Sequence, residues 1–288
     1  MGCRSKLTQK FALLFLILIS SKVMATTYLP PAVSLERKSL RIINMHGTVG
    51  LPKGQWEMFI QHRFGTLGDG AYNWYGFDQS YMRIGLDYGL GKRITTGVSR
   101  SSMNKIADAY VKWEIPLKSK SWTASWYSNA SLNTNHRANI SGQPFYYSNR
   151  MRFINTFTVC KNFGDRLMIG VTPSLVHINL ADAFNSSNDV PIMGGYTRLK
   201  ISNRYAFTAE VQKPMGNQFY NLVGGLKRIN QPTSPYVGLG FEIFTAKHMF
   251  QLSFSNAQSM NETYYMVSDN GAAHVKNFRF GFNIVRRW

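Results

Sequence analysis

Apolar and polar residues alternate with a period of two over segments of about ten residues, the length a tilted strand needs to cross a bilayer. Met82, Ile84, Leu86 and Tyr88 interleave with Tyr81, Arg83, Gly85 and Asp87. Ala109, Val111, Trp113 and Ile115 interleave with Asp108, Tyr110, Lys112 and Glu114. The same pattern returns at Tyr205 to Gln212 and at Phe278 to Ile284. A period of two marks a β-strand with one apolar and one polar face. A soluble sandwich turns the apolar face inward, whereas a membrane barrel turns it to lipid and lines its lumen with the polar one. Strands of soluble sheets run about five or six residues, so the segment length favours the barrel. Aromatic residues at segment ends (Tyr88, Trp113, Trp122, Tyr205, Tyr236 and Trp288) fit the girdles of a bilayer interface.

The fold class expected is therefore all-β, a closed antiparallel transmembrane barrel of about twelve strands, with short periplasmic turns and long external loops. The strands are expected at 55–64, 80–88, 93–100, 107–115, 121–130, 150–159, 167–178, 195–201, 204–212, 236–244, 249–256 and 277–286. The segment Phe219 to Arg228 could pass for a thirteenth. Gly224-Gly225 breaks its alternation, and an even count keeps both termini in the periplasm, so 213–235 is read as one external loop.

Arg4, Lys6 and Lys10 precede the apolar run Phe11 to Ile19, and Val23-Met24-Ala25 offers a small-residue cleavage site. Residues 1–25 read as a secretory signal peptide, 26–54 as an N-terminal periplasmic or plug segment, and 55–288 as the barrel. Export leaves Cys160 as the one cysteine and removes the reason to read the formal charge of +19 as a nucleic-acid footprint. No nucleic acid is expected as a partner. The expected location is the outer membrane of a Gram-negative cell. The expected partners are its lipids and the barrel-assembly machinery, met through the C-terminal strand ending at Trp288.

Ile43 to Gly54 reads INMHGTVGLPKG, and the first strand ends His62-Arg63-Phe64-Gly65. With Arg83 to Leu90 and Gly97 to Ser101, this resembles a bacterial β-barrel family catalogued as domain of unknown function 5777, collinear from about residue 40. The motif residues are Asn44, His46, Leu51, Pro52, Lys53, Gly54, His62, Arg63, Phe64 and Gly65. Where members usually carry Gly-His-Ser after the Asn, this chain has Met45-His46-Gly47. The resemblance implies an outer-membrane barrel and brings no activity with it.

The six histidines (His46, His62, His136, His177, His248 and His274) form no metal spacing, and neither a nucleophile elbow nor a cofactor motif occurs. Ser99-Arg100-Ser101-Ser102 has no histidine near it in sequence. The polar phase of the strands gives the lumen Arg63, Arg83, Lys112, Arg150, Arg152, Arg198, Lys200 and Arg279 against Glu57, Asp87, Asp108, Glu114, Glu210 and Glu242. A wide anion pore would carry a surplus of one sign, so this balanced set reads as a bracing network or a narrow polar passage. The functional reading is a porin-like or structural barrel without covalent chemistry. The alternatives are an enzyme acting on lipid or lipopolysaccharide, with a Ser–His or Asp–His pair on the outer rim involving His62 or His136, and a binding module displaying 131–149, 213–235 and 257–276.

The basic excess gathers in the periplasmic turns and tail, at Lys92, Arg93, Lys118, Lys120, Lys161, Arg166, Arg204, Lys247, Arg286 and Arg287, against Asp165 alone. Such a rim would meet anionic phospholipid headgroups or an acidic periplasmic partner. Reversing the charge of Lys118 and Lys120 is expected to weaken association with anionic vesicles and slow assembly. Unchanged association and assembly in that variant would remove the basis for this reading.

Overall fold

The computed structural model describes residues 39–119, 121–135, 146–179, 188–215, 234–267 and 274–288. The chain divides into a unit Met1–Ala32, outside the described residues, and a unit Val33–Trp288 that holds everything below. Residues 1–25, expected from sequence to be a signal peptide, together with Lys120, His136 and residues 216–233, also lie outside them.

The strands are β1 (Trp56–Phe64), β2 (Ser80–Gly91), β3 (Ile94–Ser101), β4 (Ile106–Ile115), β5 (Trp122–Asn133), β6 (Met151–Phe163), β7 (Leu167–Val171) and β8 (Ser174–Ile178), followed by β9 (Asp189–Lys200), β10 (Tyr205–Pro214), β11 (Tyr236–Phe244), β12 (His248–Ser255) and β13 (Arg279–Arg287). β7 and β8 are one strand interrupted at Thr172-Pro173, since both lie between β6 and β9. Pro173 has no N–H to give a ladder, but its carbonyl still accepts from Phe157 N at 3.0 Å. Twelve strands therefore make the wall.

All neighbours are antiparallel, and β1 pairs with β13 from Glu57↔Arg287 to Arg63↔Gly281, which closes the ring. Closure gives every wall strand a partner on both sides, the condition for a sheet in hydrocarbon. The faces are inverted relative to a soluble protein. Val98 and Leu252 are about 60% exposed on the outside (59% and 61%), while Arg83, Asp87, Lys112 and Glu242 are wholly buried within. The lumen is not polar throughout, because Ile154, Met168, Val176, Ile178, Val190 and Ile192 face inward from β6 to β9 and join one buried apolar cluster.

Three expectations need correction. β9 begins at Asp189 rather than 195, because Pro191 and Gly194-Gly195 are accommodated within the paired strand. Tyr236 is not an interfacial residue: its ring is fully buried in the lumen, against Tyr265 at 4.5 Å between centroids. Its phase is that of Gly238, Gly240 and Glu242, which points it inward. Finally, the loop expected to be displayed at 257–276 is folded inward over 257–267, where every residue but the half-exposed Gln258 is buried.

Leu252→Arg, near the middle of the lipid-facing side of β12, is expected to cost about 2–4 kcal/mol in reversible unfolding from a bilayer. Ser253→Ala on the lumen side of the same strand should cost less. Equal costs at the two positions would contradict the assigned faces.

Candidate functional site

The lumen is occupied by the chain's own N-terminal segment. Arg41 and His46 form a β-bridge, Ile42 N donates to Met45 O at 2.8 Å and Gly47 N to Leu40 O at 2.9 Å, so residues 40–47 make a tight hairpin. Its tip donates three successive backbone N–H groups, from Ile43, Asn44 and Met45, to Oε1 of Glu210 on β10, at 2.5, 3.0 and 3.1 Å. Its carbonyls accept from other walls. Arg198 Nη2 donates to Arg41 O at 3.0 Å, Gln251 Nε2 to Ile42 O at 2.5 Å, and Gln61 Nε2 and Asn283 Nδ2 to Ile43 O at 3.1 and 3.0 Å. Asn44 accepts from Arg63 Nη2 at 2.7 Å and donates to the Tyr236 hydroxyl at 3.2 Å. Ile43 packs on bare backbone: a Cβ added to Gly238 or Gly240 would sit 3.3 or 3.2 Å from its side chain.

The return limb is held in the same manner. Lys112 Nζ donates to Val49 O at 2.5 Å, Glu114 accepts from Gly50 N at 2.8 Å, and Thr95 Oγ1 accepts from Leu51 N at 2.8 Å. Gly54 N then donates to Gly89 O at 2.9 Å, and the chain enters β1.

A second insertion comes from the external end. After β12, residues 256–267 turn into the barrel and form one helical turn, Glu262–Tyr265, whose N-cap Asn261 accepts from Thr263 N at 3.0 Å. Arg83 joins this insertion to the wall, with Asp108 at 2.9 Å, Glu262 at 3.4 Å and Met260 O at 2.6 Å. Arg152 donates to Thr263 O at 3.2 Å and lies 4.0 Å over the Tyr264 ring. The two insertions meet at His46, whose ring sits 4.5 Å from both Tyr110 and Tyr127, with Nε2 3.9 Å from Glu262 Oε1. Burial, followed by the Arg41, Lys112 and Arg83 cations, keeps the imidazole well below its ordinary pKa, so His46 is neutral. It therefore meets the Tyr110 and Tyr127 rings as a packed aromatic rather than as a cation.

The charged lumen candidates separate into three groups. Glu57, Arg63, Arg83, Asp87, Asp108, Lys112, Arg152, Arg198, Glu210 and Glu242 are buried inside the ring. Glu114 is half-buried toward the periplasmic end, and Arg150, Lys200 and Arg279 are half-buried at strand ends. Arg150 lies in the turn Ser148–Arg150 before β6, not in the strand, and donates to Asn135 O at 2.7 Å. Within the set, Arg83 pairs with Asp108 and Arg198 with Glu242, both at 2.9 Å. Several of the others turn to the inserted segments, as in Arg41–Asp87 at 2.6 Å, while Glu57 pairs with Arg287 at 2.6 Å.

Of the motif residues, Asn44 and His46 belong to the hairpin, Arg63 reaches inward to Asn44, and Leu51-Pro52-Lys53-Gly54 turns at the periplasmic mouth. His62 and Phe64 point outward, and Gly65 N donates to Gly76 O at 2.8 Å in the loop beyond. Sequence reading missed Gln61, Gln251 and Asn283, which share the lumen phase but carry no charge, and Arg41 and Glu262, which lie in segments without periodicity. Among the described residues no group of His, Cys, Asp and Glu side chains is placed to hold a metal ion.

These features define a membrane-bound β-barrel of the outer-membrane type with a filled lumen. The family model described as a membrane bound beta barrel domain (DUF5777) matches residues 38–288, and the chain belongs to that family. No curated protein sequence matches it. Among solved structures the fold is similar to the NanC porin, at 10% identity and a TM-score of 0.50, over 80% of this chain and 97% of that one. Omp33 of Acinetobacter baumannii matches at 12% identity and 0.40, over 81% and 98% of the two chains. The outer membrane phospholipase A of Escherichia coli matches at 9% and 0.42, over 81% and 90%. At these identities the likeness is one of fold.

Glu210→Ala leaves three tip N–H groups without their acceptor, a loss of about 1–3 kcal/mol for each group stranded. Amide hydrogen exchange at residues 42–46 is expected to accelerate strongly in that variant and less in Glu210→Gln, which keeps one carbonyl oxygen. Unchanged exchange in Glu210→Ala would show that the hairpin is held by something else.

Proposed function

We propose that this protein is a porin-like outer-membrane barrel kept shut by its own N-terminal segment, with any passage of small polar solutes governed by that plug. The observation that carries the reading is the backbone of the hairpin tip, hydrogen-bonded to side chains of β1, β9, β10, β12 and β13. A conducting pore needs a continuous polar path of sufficient width. Here the hairpin and residues 256–267 fill the centre with side chains that are almost wholly buried. The reading assigns the barrel no covalent chemistry.

Planar-bilayer recording tests both halves of the proposal. The full mature chain is expected to pass no steady current, whereas a chain lacking residues 26–54 is expected to open. A steady current from the full chain would overturn the closed state. Silence from the truncated chain, if it still assembles as a heat-modifiable barrel, would overturn the porin-like part and leave a structural role.

One observation favours a second reading, an acyl hydrolase working on lipid. His62 Nδ1 lies 3.2 Å from Ser80 Oγ at the exposed external rim, with the His62 ring stacked on Phe282 at 4.7 Å. A serine nucleophile needs a base in reach and a third group to orient that base. Among the described residues nothing hydrogen-bonds the other nitrogen of His62, so the first reading is preferred. Release of fatty acid from mixed phospholipid micelles, abolished by Ser80→Ala, would reverse that preference.

A further inference from the structure

The return limb of the plug does not fill the periplasmic mouth. A cavity of about 890 Å³ remains between Thr48–Lys53 and the strand ends, with Lys53, Lys92, Arg93, Glu114 and Arg287 in its lining. Glu114 is engaged by Gly50 N, and Arg287 is tied to Glu57. Lys53, Lys92 and Arg93 are exposed, and among the described residues their side chains meet no carboxylate and make no hydrogen bond. Three cations without a counter-charge thus border one concave space.

Local chemistry does not account for their placement. Gly91, Lys92 and Arg93 have φ of 92°, 50° and 66°, the left-handed conformation of a tight hairpin turn. Such a turn is ordinarily filled by Asn-Gly or a similar pair, and a lysine followed by an arginine works against it. Lys53 is set in place equally firmly. The Leu51-Pro52-Lys53-Gly54 turn is pinned through Gly54 N to Gly89 O at 2.9 Å. A Cβ on Gly89 would collide with the Pro52 carbonyl, and one on Gly91 would come within 3.2 Å of the Lys53 stem. Two glycines of β2 therefore make room for the motif turn and lay Lys53 across the mouth.

Position also separates these cations from the bilayer. Arg286, which does not line the cavity, lies 5.3 Å over the Trp288 ring, cation and aromatic paired as at a membrane interface. Lys53, Lys92 and Arg93 border the cavity within the mouth, alongside Leu51 and Pro52 of the plug. We propose that the periplasmic mouth is a binding site for a soluble organic anion carrying at least two negative charges, as phosphate or carboxylate, with an apolar part resting on the exposed Pro52. The volume is within the range of small-molecule sites, and the free charges supply the complementary sign. The assignment is independent of whether the lumen conducts.

Titration calorimetry on the full mature chain in a neutral detergent at low ionic strength tests it, with pyrophosphate and citrate as probes. Lys92→Asn with Arg93→Gly installs the pair that the turn prefers, removing the charge while sparing the fold; Lys53→Ala removes the third cation. At least one probe is expected to bind the wild type, and each variant to bind it at least about tenfold more weakly, with the melting temperature of the turn variant unchanged or raised. No binding of either probe at millimolar concentration, or equal binding by wild type and both variants, would overturn the site. Binding to vesicles of anionic phospholipid but to neither probe would overturn the soluble source and assign the cations to headgroups.

Discussion

The carboxylate of Glu210, accepting three consecutive backbone N–H groups from the hairpin tip, is the interaction on which the interior depends. A closed barrel satisfies its own backbone but leaves an inward ring of polar side chains, and each one left dry and unpaired is costly. A hairpin tip has the converse deficit, with N–H and C=O groups that no sheet partner reaches. Glu210 on one side and Gln61, Gln251, Asn283 and Arg198 on the others remove both deficits together. Neither wall nor plug is satisfied without the other.

This coupling explains the charge pattern of the wall. Had the lumen been water-filled, a near-balanced set of acids and bases would have been expected to pair across strands. Instead Asp87 takes Arg41 and the Tyr110 hydroxyl, Lys112 holds plug carbonyls, and Arg83 divides itself between Asp108 and the external insertion. The near-balance arises because the partners include backbone dipoles, so no count of side-chain charges could reveal the arrangement. The apolar inward face of β6 to β9 completes it. Ile42 and Met45 of the hairpin and Met266 and Val267 of the other insertion join Ile154, Val176 and Ile192 in one cluster, packing as in a soluble core.

The wall was legible because register carries its own proof: a period of two cannot slip by one residue without exposing every charge to lipid. Most strands accordingly lie within a few residues of their expected positions, and the errors fall where one residue type misleads. Pro191 and Gly194-Gly195 hid the first half of β9, and the aromatic character of Tyr236 outweighed its phase. The plug and the 256–267 insertion were not legible in the same way. Their partners lie far away in sequence, from Asn44 to Tyr236 and from Arg83 to Glu262, and nothing periodic marks either segment. Only the motif from Asn44 to Gly54 pointed there, without saying what it touched. The His62–Ser80 approach joins the two ends of one hairpin loop, and β1–β2 register would have placed His62 two residues from Ser80's own partner Phe64.

The same register decides what a basic rim means. Ten cations in the periplasmic turns and tail look equivalent in sequence, yet adjacent residues of one strand face opposite media. Arg286 turns outward to Trp288, while Arg287 turns inward to Glu57. Among the described residues the rim therefore holds cations of two kinds: Arg286 is set against an aromatic ring, and Lys92, Arg93 and Arg287 border the aqueous mouth. The outward set needs no ligand, since headgroups and ring faces already provide for it. The inward set is different, because the plug that supplies Lys53 also supplies the wall of the cavity that Lys53 borders. Closing the barrel and shaping its mouth are then two effects of one segment, and a change that drew the hairpin out would dismantle both.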